Sequence, residues 1–156
     1  MARVRIFVNE NDIPLASHLN FHSELKIMAN PVSLTINELS ANAAVSLPTA
    51  QSVDTNGTIN LPANSLTDRL LIEVVNTDDA ALTVTVKAGT SAVAHTARDL
   101  AVALAASGGG ATASRMIGPF ESARFVKADG SIDVQFQAAT GSPAASVRVY
   151  RLPRQI

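Results

Sequence analysis

The chain has 156 residues, of which 47% are hydrophobic and 16% charged, with a net charge of −1 and no cysteine. This length suits one domain that buries a core without staples. The missing cysteines exclude disulfides and thiol chemistry, the charge gives no nucleic-acid footprint, and no apolar run approaches the ~20 residues of a membrane-spanning helix.

Residues 1–27 differ in kind from the rest. Arg3-Val-Arg-Ile-Phe-Val8 reads as a strand and Asn9-Glu-Asn-Asp12 as a turn. From Ile13 to Ile27, Leu15, Leu19, Phe21, Leu25 and Ile27 fall at helix-compatible spacing without strong caps. The start lacks the long apolar core and cleavage pattern of a signal peptide. We read residues 1–27 as an N-terminal arm able to reach a neighbour, and residues 28–156 as one domain. Met28-Ala-Asn-Pro-Val32 itself reads as a natural protein beginning, which makes the first 27 residues an arm or an upstream-start extension.

Beyond the arm the signals are β. Val32, Leu34 and Ile36 alternate with Ser33 and Thr35; Val45 and Leu47 flank Ser46 before Pro48 interrupts. Thr58-Ile-Asn-Leu61 follows an Asn56-Gly57 turn signal. Leu70-Leu-Ile-Glu-Val-Val75 and Leu82-Thr-Val-Thr-Val-Lys87 are strands, the second with Leu82, Val84 and Val86 on one face. The short link between them predicts an antiparallel hairpin. Asp99 to Ala106 is rich in helix-favouring alanine, but Leu100, Val102 and Leu104 repeat every second residue, so a strand is expected. Ser107 to Gly110 reads as a flexible loop, and Arg115-Met-Ile117 leads to a break at Gly118-Pro119. Ala123 to Lys127 and Ile132 to Gln137 predict a second hairpin around Asp129-Gly130, with Ile132, Val134 and Phe136 inward and Phe120 in the core. Ala145 to Leu152 makes a final strand that Pro153 ends. Its alternation puts Arg148 with Tyr150 on one face, and Arg151 with Val147 and Val149 on the other. Short strands punctuated by Gly, Pro, Asn and Asp predict an all-β fold: an antiparallel β-sandwich, or a jelly-roll or barrel-like domain, with an N-terminal arm.

Chemistry is sparse. His18 and His22 share a helix face with Glu24 nearby, but the only other histidine is His95, too few for a zinc set. Asp78-Asp79 lacks the spaced ligands of a calcium loop. Gly108 to Gly110 is followed by no Gly-Lys-Ser/Thr, and no Gly-x-Ser-x-Gly elbow occurs. Asn56-Gly-Thr58 matches a glycosylation sequon but reads as a turn without a secretion signal. No catalytic, cofactor or metal residue is therefore expected. Charge is uneven: residues 1–97 carry five Lys/Arg and nine Asp/Glu, residues 98–156 seven and four. An acidic part and a basic part suit docking against copies of the chain or another surface. The candidate contact residues are Arg3, Arg5, Phe7, Phe21, Glu121, Arg124, Arg151 and Arg154, with Glu121 and Arg124 able to pair locally or across subunits.

The stretch Met116-Ile-Gly-Pro-Phe-Glu-Ser-Ala-Arg-Phe-Val-Lys-Ala-Asp-Gly-Ser-Ile-Asp-Val-Gln-Phe136 resembles small tailed-phage structural proteins, the head decoration or cement proteins. The likeness extends through Leu66 to Thr77, Thr83 to Gly89 and Val149 to Arg154, and covers about residues 28–156; Gly118-Pro-Phe-Glu-Ser-Ala-Arg-Phe125 is its most specific part. The arm departs from it. The resemblance implies a virion protein, made in the host cytoplasm, that binds the major capsid protein from outside as a symmetric set of copies, trimers being favoured. It implies no enzyme activity, cofactor or membrane, and no direct nucleic-acid contact. The competing classes are a neck, tail or fibre component and, with only one Tyr and no Trp to stack on sugars, a carbohydrate-binding β-sandwich.

Overall fold

Alternation of apolar and polar side chains builds nine strands among the described residues, 34–53, 57–62, 67–96 and 98–154 of the computed structural model. The strands are β1 (Ile36–Glu38), β2 (Gln51–Val53), β3 (Thr58–Pro62), β4 (Leu70–Asn76), β5 (Leu82–Val86), β6 (Leu100–Leu104), β7 (Ser114–Ile117), β8 (Ser131–Ala138) and β9 (Ala145–Arg151). Two short helices, α1 (Ala92–Thr96) and α2 (Ser122–Phe125), fill connections. The expected strand at Arg3 to Val8 and the rest of the arm lie outside the described residues.

The strands form two sheets of a β-sandwich. One is antiparallel, in the order β3-β8-β5-β6. The other is organised around β9. On one side β9 pairs antiparallel with β4, from Leu70 opposite Arg151 to Asn76 opposite Ala145, and β7 pairs beyond β4. On the other side two short strands share its length. β2 runs antiparallel to Ala145–Val147, and β1 runs parallel to Val149–Arg151.

The inward residues of both sheets join one cluster. It includes Leu70, Ile72, Val74, Val147 and Val149 from one sheet, and Ile59, Leu61, Leu82, Val84, Val86, Ile132, Val134 and Phe136 from the other. Burying such a side chain contributes roughly 1.5–3 kcal/mol each. Phe120 is buried as expected and meets Phe125 edge-on, with ring centroids 5.9 Å apart. Two packed layers need few aromatics because small β-branched side chains fill the gap between them.

Both expected hairpins are corrected. β4 and β5 are strands, but they belong to different sheets, so the chain crosses the sandwich between them. Asn76 is buried there and donates through Nδ2 to the carbonyls of Ala80 and Ala105, while its Oδ1 accepts from the Asp78 N–H. Those bonds close the link on itself and turn β5 away. In the second case Ser122 to Phe125 is a helical turn, because the Glu121 carbonyl accepts from the N–H groups of Arg124 and Phe125. The Asp129-Gly130 turn does form, with Gly130 at φ +79°. Val45 and Leu47 lie outside any strand, and in place of the expected flexible loop Ser107–Ala113 forms two short 3₁₀ turns broken at Gly110, whose φ is +59°.

Glycine is required at two close approaches. A Cβ on Gly89 would stand 2.1 Å from the Val126 carbonyl oxygen. At Gly118, φ is +118° and a Cβ would meet the Leu70 carbonyl oxygen at 2.4 Å. The segment Gly118–Phe125 thus serves packing at one end of the sandwich.

Candidate functional site

The outer face of the β9 sheet joins Glu73, Arg148 and Tyr150 in one hydrogen-bonded group. Glu73 on β4 lies between Met116 of β7 and Arg148 of β9, and Tyr150 lies one row further along β9, opposite Leu71. Oε2 of Glu73 accepts from the Tyr150 hydroxyl at 2.7 Å and from Arg148 Nη1 at 3.3 Å. Arg148 Nε donates to the Pro48 carbonyl at 2.9 Å, which pins the segment before β2 against the sheet. Burial raises the Tyr150 hydroxyl above its usual range, and the Glu73 carboxylate adds to the rise. At neutral pH the phenol is a donor, and the acid, base and cation satisfy one another. This is a cross-strand clamp; its charges are consumed in holding β4, β9 and the 48–50 segment together.

Beside the clamp lies a cavity of about 360 Å³, lined by Thr35, Asn37, Pro48, Thr49, Gln51, Val147 and Arg148. It opens where β1 stops and β2 starts along the same edge of β9. One polar atom of each of its amides is engaged: Asn37 Nδ2 donates to the Val149 carbonyl, and Gln51 Oε1 accepts from the Thr35 N–H. The lining suits an uncharged side chain with some hydrogen-bonding capacity better than an ionised ligand.

Large apolar side chains are exposed at both flanks of this face. Met116 is 56% exposed on β7, and Leu47, adjoining the Pro48 that Arg148 holds, is 77% exposed, with Val45 close by in sequence.

The sequence-predicted contact residues fall in several places. Arg3, Arg5, Phe7 and Phe21 lie outside the described residues, as do His18, His22 and Glu24. Arg151 sits on the inward face with Val147 and Val149, as alternation implies, and pairs with Glu38 through Nη1. Its Nε and Nη2 are buried with no hydrogen-bond partner among the described residues. Arg124 stacks over the Phe125 ring at 4.6 Å and donates from Nε to the Arg98 carbonyl at 3.0 Å. Glu121 is exposed and meets Arg124 through its backbone carbonyl. Arg154 is exposed. The Glu73 clamp and the buried Asn76 escaped sequence reasoning. The Arg148–Tyr150 face was readable from period two, but its acidic partner is 75 residues away from Arg148.

At the opposite end, Asp99 accepts from the Ala88 N–H and from Lys87, and these hold its carboxyl below the usual range. Among the described residues, no group of three or more His, Cys, Asp or Glu is placed to hold a metal ion, and no helix is long and apolar enough to cross a membrane. No family model, curated protein or solved structure matches the chain.

Proposed function

We propose that this chain is a non-enzymatic structural protein of a tailed-phage virion that binds the outside of the capsid and reinforces it by bridging major capsid protein subunits. It acts as a homo-oligomer, with a trimer favoured. The observation that carries this reading is the outer face of the β9 sheet. There an internally neutralised clamp separates two exposed apolar side chains, Met116 and Leu47. Such a face presents little uncompensated charge to desolvate and apolar surface to bury, at roughly 25 cal/mol per Å². A standard interface of about 1,600 Å² per contact, repeated by symmetry, would resist separation of the subunits it spans. The resemblance centred on Gly118 to Phe125 and the low overall charge support the same reading.

The test is quantitative mass spectrometry of purified virions of the phage that encodes the chain. A copy number comparable with that of the major capsid protein supports decoration. A copy number limited to one vertex or the tail favours a neck, tail or fibre component. Absence from virions ends the proposal.

A further inference from the structure

We propose that the free edge of β6 receives residues 3–8 of a second copy as an added strand. This deepens the self-association part of the reading above and rests on it only there.

The argument starts from which backbone groups β6 leaves open. Between β5 and β8, the Lys87 N–H donates to the Asp133 carbonyl and the Ala139 N–H to the Ala81 carbonyl. Odd-numbered residues of β5 therefore bond to β8, and even-numbered ones to β6. The β5–β6 register then commits Leu100, Val102 and Leu104 to β5, and turns the N–H and C=O groups of Ala101 and Ala103 outward. The Ala105 N–H, next in that outward series, does find an acceptor, the Thr112 carbonyl. At the other end Arg124 covers the Arg98 carbonyl. Between these stops, two donors and two acceptors stand without a partner among the described residues.

This window carries none of the devices that protect an edge. Leu100-Ala-Val-Ala-Leu104 has no charge and no proline, whereas the opposite edge strand, β3, ends in Pro62. Leu100 and Val102 face the core but remain only partly buried. On the outer face Ala101 and Ala103 leave room for larger neighbours.

Residues 3–8 fit the window in length, period and charge. Laid antiparallel with Ile6 opposite Val102, they bring Val4 and Val8 beside Leu104 and Leu100, which completes the sandwich edge. Arg5 and Phe7 then pair with Ala103 and Ala101 through the open backbone groups and stand over small side chains. Pairing stops at Val4, because the position opposite Ala105 is held by Thr112; Arg3 leaves the strand at the end of β6 where the Ser107 N–H donates to the Asp78 carbonyl, beside the acidic pair Asp78-Asp79. The 25 residues from Asn9 to Ser33 reach at most about 90 Å when extended, enough to cross to a neighbour. Back-to-back pairing of two β6 strands would leave residues 3–8 unused and would survive V4D/I6D, so the variant separates the two arrangements.

The experiment uses the full chain without any shell, so its failure leaves capsid binding standing, and failure of capsid binding leaves it standing. Sedimentation velocity gives the oligomeric state, and hydrogen exchange reports the amides of Ala101 and Ala103. The wild-type chain is expected to associate and to protect both amides. The double variant V4D/I6D and Ala101→Pro, which removes an outward N–H, should each give monomer, and V4D/I6D should lose the protection. If Ala101→Pro does not fold, V4D/I6D decides alone. A monomeric wild type, association that survives V4D/I6D, or protection that persists in its monomer overturns the proposal.

Discussion

A single buried amide holds the link between the two sheets. Asn76 uses both N–H groups and its carbonyl oxygen on backbone partners, so its replacement strands buried groups that cannot reach water. Asn76→Ala should cost about 3 kcal/mol in urea denaturation, and the near-isosteric Asn76→Asp no less, because a carboxylate faces two carbonyls it cannot donate to. Asp99 is a milder case, since its side chain is 36% exposed. Asp99→Ala should lower stability by about 1 kcal/mol at neutral pH, discounted for solvent screening. Its folded carboxyl is held below the ordinary value, so the contribution is complete above the unfolded pKa and fades as pH falls through the folded one. Wild type and variant should converge in acid. Tyr150 behaves in the opposite sense. Its raised hydroxyl binds its proton more tightly in the folded state, so stability is complete below the unfolded tyrosine value and is lost as pH rises through the folded one. Tyr150→Phe should cost about 1.5 kcal/mol at pH 7, and less once the wild-type hydroxyl ionises in alkali.

Among the elements, the strands with clean alternation are the ones sequence reasoning places correctly. β5, β8 and β9 bury the predicted residues because one apolar face leaves a single acceptable register. β6 also follows its two-residue period against the helix preference of its alanines. Pairing was less legible. A short polar link reads as a hairpin turn, and nothing local announces that Asn76 will be swallowed by the core and send β5 to the other sheet. Ala123 to Lys127 misled for a similar reason: Phe125 is buried from a helical turn as readily as from a strand. β2, three residues with one buried side chain, carries no pattern to detect. The candidate site was half visible, since period two finds the Arg148–Tyr150 face but not the Glu73 that binds it. Glycines test the packing between elements. Gly89→Ala should destabilise by at least about 2 kcal/mol because its Cβ meets backbone, while Gly108→Ala, with nothing within 4 Å, should stay within about 0.5 kcal/mol in the same denaturation assay.

For the whole molecule, the fold and its outer surface make separable demands. Leu47→Asp combined with Met116→Asp alters exposed positions and should leave the unfolding midpoint nearly unchanged, within about 0.5 kcal/mol each. The same variant should bind decoration-free capsids more weakly in a co-sedimentation assay if that face is the docking surface. Pairing between distant segments also implies slow folding, on the order of milliseconds to seconds. The position of β9 adds a consequence for biosynthesis. It lies in the interior of its sheet, yet it is the last strand along the chain. While a ribosome is still making residues 1–144, β1 and β2 have nothing to zip onto, and β4 can pair only with β7, its other edge still without its mate. The sandwich can therefore close only after Ala145–Arg151 has left the exit tunnel, so the core is completed by the strand made last among the described residues.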